Sequence, residues 1–258
     1  NRQAFKLNHP WFNMAMISIS TNGLLYLSEP VQRFIERHRN RLSLGISIDG
    51  DKQTHDACRV DTSGLGTYDR ILPAVQHLIA SRSYSQTKVT FAHNSLPRIS
   101  TAIHHLMDLG YTDISANVVF EDVWSPGDEQ IFYDQLIELA DAIIDGDYYA
   151  SHACTLFSEQ IGYPLADSDT NNWCGGNCKM LAIGTDGTLY PCVRFAPYSL
   201  GPDVRPIVLG DIYNGYTELH SSEICELCSI TRQSQSSEEC LTCQVATGCA
   251  WCTALNYE

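Results

Sequence analysis

The chain has 258 residues, 44% of them apolar. That is room for one large domain or two modest ones around a real core, and it excludes a disordered tail. Thirty acidic against 16 basic residues give a formal net charge of -14, a surface that repels polyanions, so no nucleic-acid partner is expected. No apolar run approaches the roughly 20 residues of a membrane span, so no membrane partner is expected either. The opening NRQAFKLNHP has no initiator Met and no apolar signal core. It reads as a fragment or a chain with its start missing, with the cytoplasm as the expected location.

The first 145 residues alternate strand and helix patterns. MAMISIS (Met14 to Ser20) is a short β-branched run ended by Thr21-Asn22-Gly23, a turn signal in which Asn22 reads as a turn residue. Pro30 opens a helical stretch to about Asn40. LSLGISI (Leu42 to Ile48) is a second strand stopped by Asp49-Gly50, and HDACRVDTSGLG reads as a polar loop. Thr67 is placed to cap a helix whose apolar positions Ile71, Leu72, Val75, Leu78 and Ile79 recur at three and four. Pro73 falls near its first turns. KVTFAH (Lys88 to His93) is a third strand, followed by a helix from Pro97 to Leu109 that stops at Gly110. ISANVVF (Ile114 to Phe120) is a fourth strand, and the last helix runs from about Asp128 to Ile144. Four βα units in a row imply a parallel sheet, doubly wound or part of a barrel. Ligands in such folds sit at the C-terminal strand ends.

After about residue 150 the long helical periodicity disappears and Gly, Pro, Asn, Ser and Cys rise. KMLAIGTDGTLYPC reads as a hairpin turning at Asp186-Gly187. Of the 11 cysteines, ten lie between Cys154 and Cys252. Cys225 and Cys228, Cys240 and Cys243, and Cys249 and Cys252 are CxxC pairs; Cys174 and Cys178 are a CxxxC. Such close pairs fit metal better than disulfides, because a short loop lets two thiolates converge on one centre. Spacing alone leaves zinc and iron–sulfur both open. The apolar runs are too short for a large core, so this half reads as a module held by its metal centres.

STNG after the first strand, SIDG then HDACR after the second, ANVVFEDVW across the fourth, and the cysteine tail together resemble a known family. The chain resembles a radical S-adenosylmethionine (SAM, AdoMet) enzyme with a C-terminal SPASM domain, of the kind that matures ribosomally made peptides. The most specific match is Cys174, then Gly187 and Cys192 in GTLYPC, then Cys240, Cys243, Cys249 and Cys252. The resemblance spans about Ala15 to Glu258. It implies an α/β fold with a partial (β/α)6 radical SAM barrel over 1–150, four units of which are present. A Cys-rich SPASM domain with a small hairpin would occupy 151–258. The family's CxxxCxxC, which binds the SAM-cleaving cluster, is absent, and six βα units are expected where four are seen. The simplest account is that the first two units and their cluster loop precede Asn1. The tail also departs from the family: its last Cys is missing after ALNYE, and two residues rather than three separate Cys249 from Cys252.

The resemblance further implies two auxiliary 4Fe–4S clusters. Cys174, Cys178, Cys192 and Cys252 would hold the first; Cys240, Cys243 and Cys249 the second. Cys225 and Cys228 are an extra pair that would complete the second cluster or bind zinc. Ser47, Asp49 and Arg59 would face SAM, the Arg fork meeting its carboxylate. Asn94 and Val118 or Val119 would neighbour ribose and adenine. The partners implied are a precursor peptide, SAM and an external electron donor. The reaction implied is reductive SAM cleavage to a 5′-deoxyadenosyl radical, hydrogen abstraction from a peptide carbon, and joining of that carbon to a Cys sulfur as a thioether, with an auxiliary cluster accepting the remaining electron. Sulfatase-maturing relatives carry an Asp directly after the Cys of this element; here Val193-Arg194-Phe195 follows Cys192, which favours cross-linking over sulfatase-type oxidation. Arg194 is a candidate for substrate or cluster contact, with a surface salt bridge as its alternative. A zinc-binding interaction protein without catalysis and a sulfatase-type oxidase remain the alternative readings. His104 and His105 read as structural, Cys58 and Cys154 as buried free thiols. Glu121, Asp122, Asp128 and Glu129 read as a solvated face able to receive a basic leader peptide.

Overall fold

The computed structural model describes residues 14, 16–82, 85–119, 123–157, 176, 180–200, 204–218, 221–244, 252–254 and 257. The chain divides into two compact units, Asn1–Ser158 and Glu159–Glu258.

In the first unit, strands and helices alternate as the sequence pattern predicts: β1 (Ile17–Thr21), α1 (Glu29–His38), β2 (Leu42–Ile46), α2 (Lys52–Cys58), α3 (Tyr68–Ala80), β3 (Gln86–Phe91), α4 (Ile99–Asp108), β4 (Asp113–Val118), α5 (Asp128–Asp145) and a two-residue β5 (Ala153–Cys154). β1 pairs in parallel with β2, from Ile17 against Leu42 to Thr21 against Ile46. β3 pairs in parallel with β4, from Gln86 against Asp113 to Phe91 against Val118, and β5 extends β4 at Ile114 and Cys154. Strand side chains alternate between faces. Ile46, Ile48, Val89, Phe91, Ile114 and Ala116 are buried against Ile71, Val75 and Leu78 of α3 and Ile99, Ile103 and Leu106 of α4. The opposite face is polar: Ser18, Ser20, Ser43, Ser47, Gln86, Lys88 and Ser115 line a cleft of about 180 Å³ that spans β2 and β3. The two sheets, β1–β2 and β3–β4–β5, therefore turn one face to the core and, among the described residues, a polar face to the cleft.

Two local readings change. HDACR is not in a loop: Asp51 caps α2, its Oδ1 accepting from the Thr54 amide at 3.4 Å and the Thr54 hydroxyl at 2.5 Å. The helix after β3 begins at Ile99 rather than Pro97, because residues 93–98 form a tighter 3₁₀ turn first, fixed by Ser95 and Ala92, which exchange side-chain and backbone bonds.

The second unit has a four-stranded antiparallel meander, β6 (Ala182–Ile183), β7 (Thr188–Tyr190), β8 (Gly210–Asp211) and β9 (Gly215–Tyr216), in that order across the sheet. The hairpin turns at Asp186-Gly187 as expected, Gly187 taking φ +90°; the two further strands were not legible from the sequence. Helices α6 (Ser222–Ser229), α7 (Arg232–Gln235) and α8 (Glu238–Thr242) follow. Their core is small: Leu189, Phe195, Ile207, Leu209, Ile224 and Leu227 with Cys192 and Ala254. No helix among the described residues is long and apolar enough to cross a membrane.

Candidate functional site

The site expected at the end of β2 is built from three segments that the chain brings back to one place. Asp49 follows the strand two residues after Ser47, whose amide continues the ladder by donating to Thr21 O at 2.8 Å. Alternation puts Ser43, Ser47 and Asp49 on the polar face. Gly50 then turns with φ +112°, and a Cβ there would lie 2.4 Å from Ala102 Cβ of α4. Only glycine allows both that backbone and that close approach. α2 carries the chain away and ends at Arg59, whose Nε donates to Asp49 Oδ2 and whose Nη2 donates to Asp49 Oδ1 at 3.3 Å. The Asp49 side chain is 12% exposed and the Arg59 side chain 38%. The guanidinium thus has one side engaged by the carboxylate, while the residue stays open to solvent.

Sequence reasoning missed His55, which lies inside the quoted HDACR. It is fully buried. Its Nδ1 accepts from the Asp49 amide at 3.3 Å and its Nε2 meets Thr67 Oγ1 at 3.0 Å. Burial holds its pKa below the usual imidazole value, against the opposing pull of Asp49. Thr67 stands at the N-cap of α3 as expected, yet its hydroxyl bonds no helix amide; it donates to Arg59 O at 3.1 Å.

Charged bonds fasten the neighbouring strand-end loops to this one. Arg98, at the end of the 3₁₀ turn after β3, donates from Nη2 to Asp51 Oδ2 at 2.6 Å and from Nε to Thr54 Oγ1 at 2.8 Å. Burial alone would raise the Asp51 carboxyl, but the Arg98 and Thr54 bonds outweigh it and hold the carboxyl below the usual range. His93, on the same turn, meets Asp128 Oδ2 through Nδ1 at 2.8 Å. The Ser125 amide, donating to Asp128 at 2.7 Å, and His93 keep that carboxyl low. Asp128 is therefore a buried structural acid, not part of a solvated face; a helix N-terminus and a histidine both stabilise its charge. Asn94 lies on the same 3₁₀ turn and is exposed. Val118 is on the opposite sheet face from Asp49. With Leu96, Trp124, Ser125, Asp128, Glu129 and Phe132 it lines an apolar pocket of about 230 Å³. Of the two valines considered, Val119 has the parity of the polar face. The structure thus pairs Asp49 with Arg59, places Ser47 in the polar cleft two residues before Asp49, ties the Asn94 turn to Asp51 and Thr54 through Arg98, and turns Val118 toward the apolar pocket.

Among the cysteines, Cys174, Cys178 and Cys249 lie outside the described residues, as do Glu121 and Asp122. Cys192 is buried in the second unit's core and Cys252 packs against that same core, an arrangement that suits two ligands of one centre. Cys240 and Cys243 are free and exposed about a single turn of α8. Cys240 lies in the helix and Cys243 caps its C-terminal end in extended backbone. Cys225 is free and exposed on α6, but Cys228 is disulfide-bonded. A sulfur in a disulfide offers no thiolate until it is reduced, so Cys228 could join Cys225 in completing the second cluster or binding zinc only after reduction. Among the described residues no group of three or more His, Cys, Asp or Glu side chains is gathered for a metal ion. Arg194 lines a pocket of about 70 Å³ with Phe195, Arg205 and Tyr257.

The remaining candidates are structural. His105 Nε2 meets the Tyr68 hydroxyl at 2.6 Å, and His104 faces Asp108 at 3.8 Å. Asn22 makes the expected turn, its Oδ1 accepting from the Leu24 amide. Cys154 is a buried thiol raised by burial, whereas Cys58 is exposed, because it falls on the solvent side of the last turn of α2.

No family model and no curated protein matches the chain. Among solved structures it is similar to anSMEcpe with bound AdoMet, at 19% identity and a TM-score of 0.67, covering 95% of this chain and 68% of that one. It is also similar to anSMEcpe with AdoMet and the Cp18Cys peptide, at 17% identity and 0.67, covering 96% and 70%. Streptococcus suis SuiB bound to precursor peptide SuiA matches at 13% identity and 0.58, covering 93% of this chain and 56% of SuiB. The chain has a mixed α/β fold resembling that of radical SAM enzymes, the resemblance that STNG, SIDG and the cysteine tail carry in the sequence.

Proposed function

We propose that this chain acts as a radical SAM enzyme that modifies a ribosomally made peptide, forming a thioether between a Cys sulfur and a peptide carbon. The observation that carries the reading is the Asp49–Arg59 pair, held on the polar sheet face at the C-terminal end of β2, in a fold shared with structures that bind AdoMet and peptides. Asp49 orients the Arg59 fork, so that its remaining edge is left for the AdoMet carboxylate; planar, paired donors suit a carboxylate. Ser47 adds a hydroxyl on the same face, and Asn94 a side-chain amide on the adjoining turn. Val118 would reach the adenine only by way of the apolar pocket beside Trp124, so Val119 is the better neighbour. In the second unit, Cys192 and Cys252 with Cys174 and Cys178 would hold one auxiliary cluster. Cys240, Cys243 and Cys249 would hold another, with Cys225 nearby and Cys228 available after reduction. AdoMet and reduced iron–sulfur clusters, when bound, supply one-electron hydrogen-abstraction chemistry, with electrons from an external donor. This chain's own residues bind AdoMet, orient it and keep the polar face open for the peptide.

The test is anaerobic reconstitution of the full chain with iron, sulfide and a thiol reductant, followed by metal analysis, the visible spectrum and equilibrium dialysis against labelled AdoMet. Broad brown absorption and AdoMet binding that Arg59→Lys weakens support the reading. Zinc without sulfide, and no AdoMet binding, support a zinc-binding interaction protein instead. Co-expression with a candidate precursor peptide then separates the chemistries by mass: loss of two hydrogens per cross-link for a thioether, an aldehyde for sulfatase-type oxidation.

A further inference from the structure

His55 is buried with none of its surface exposed, and its two ring nitrogens face two different segments. A backbone amide can only donate, so the bond from Asp49 N–H leaves the lone pair on Nδ1 and the proton on Nε2. Nε2–H then donates to Thr67 Oγ1, and that hydroxyl passes its own proton to Arg59 O. The direction of every bond in the chain follows from the first. Asp49 and Arg59 are thereby joined twice: directly through their side chains, and from behind through His55 and Thr67. The second connection is made at a cost, because the Thr67 hydroxyl gives up capping the helix to take part in it.

We propose that neutral His55 is a positioning residue for AdoMet, fixing the Asp49 carboxylate and the Arg59 fork in the relation that receives the AdoMet carboxylate. This rests on reading the Asp49–Arg59 pair as the AdoMet site. His55 touches no ligand itself; it acts through the pair. Its ring meets Tyr68 edge-on, with ring centroids 5.9 Å apart and planes at 71°.

The experiment is a double-mutant cycle on the reconstituted full chain, with labelled AdoMet in equilibrium dialysis and thermal melting in parallel. His55→Asn places its Oδ1 where Nδ1 stood and keeps the Asp49 bond; His55→Gln reaches Thr67 but loses Asp49. In the wild-type background His55→Gln is expected to weaken AdoMet binding about tenfold and His55→Asn about threefold or less. In an Arg59→Lys background, where the fork is already gone, His55→Gln is expected to change binding less than about twofold, while lowering the melting temperature as much as before. Equal weakening in both backgrounds, or none in the wild type, overturns the positioning role and leaves His55 a packing residue. Failure of the reconstituted wild type to bind AdoMet overturns the site itself. Should His55→Gln not fold, Thr67→Val, which deletes one hydroxyl of the relay, carries the same cycle with the same expected pattern.

Discussion

The two units of this chain are stabilised in different ways. The first buries Phe91, Ile103, Leu106, Ile71 and Val75 completely, in one core that fills the space between a parallel sheet and its helices. Its strand-end loops are then fastened by Arg98–Asp51, His93–Asp128 and the Asp49–His55–Thr67–Arg59 relay. Among its described residues the second unit has two- and three-residue strands, short helices and a handful of buried side chains, two of them Cys192 and Ala254, and it carries nine of the 11 cysteines. The first is specified chiefly by hydrophobic burial. A core of the size described in the second offsets little of the conformational entropy lost on folding, so bound metal is the stabilisation proposed for it.

The strongest way to break this contrast is to remove iron. Chelation of the reconstituted chain is expected to open the second unit to proteolysis while residues up to about 158 stay protected; equal loss in both units would erase the distinction. Next in size is Phe91→Ala, which should cost about 3–5 kcal/mol because no part of that ring reaches solvent. Its counterpart Leu227→Ala should be nearly as costly in the apo chain and far less visible in the loaded one. Urea unfolding with and without iron measures both.

Gly50→Ala comes third, at about 2–4 kcal/mol, since the added methyl meets Ala102 in a backbone conformation that alanine resists. It should also weaken AdoMet binding, because it lies beside Asp49. Arg98→Ala should cost about 1 kcal/mol, a figure reduced for the partial exposure of both partners. Its pH signature is sharper than its size. The Asp51 carboxyl is held low when folded, so its contribution is complete above the unfolded value of about 3.9 and is lost as pH falls through the lower folded value. The stability gap between wild type and Arg98→Ala should therefore close on acidification below about pH 4, which urea midpoints between neutral and strongly acidic pH would show. The smallest effect is expected from Lys52→Ala. Lys52 pairs with Asp56 and Asp69 from an exposed position, and thermal melting should not detect its loss.

How much of the site was legible can be argued from particular residues. Asp49 and Arg59 could be singled out because SIDG and HDACR stand in the order of a family. That they pair with each other was not legible, since nine residues lie between them and HDACR reads as part of a loop, whereas Asp51 caps a helix that returns Arg59 to Asp49. His55 left a signal, a histidine one turn before the arginine, but its burial depends on Thr67 and Tyr68 arriving from the next helix. Arg98 left none, as nothing local distinguishes it from a surface arginine. Val118 illustrates the converse error: the strand was right, and parity along it turned the side chain toward the helices.

The amino-acid order by itself determined the alternation of strands and helices in the first half, the hairpin at Asp186-Gly187 and the clustering of cysteines, because periodicity, turn residues and close spacing act over a few residues. Only the tertiary structure decided which groups meet across long separations: Arg98 with Asp51, His93 with Asp128, Cys192 with Cys252 on one core. The physical reason is that a hydrogen bond or shared core between distant segments depends on how whole elements pack, and packing is fixed by the complete set of buried side chains rather than by any local pattern.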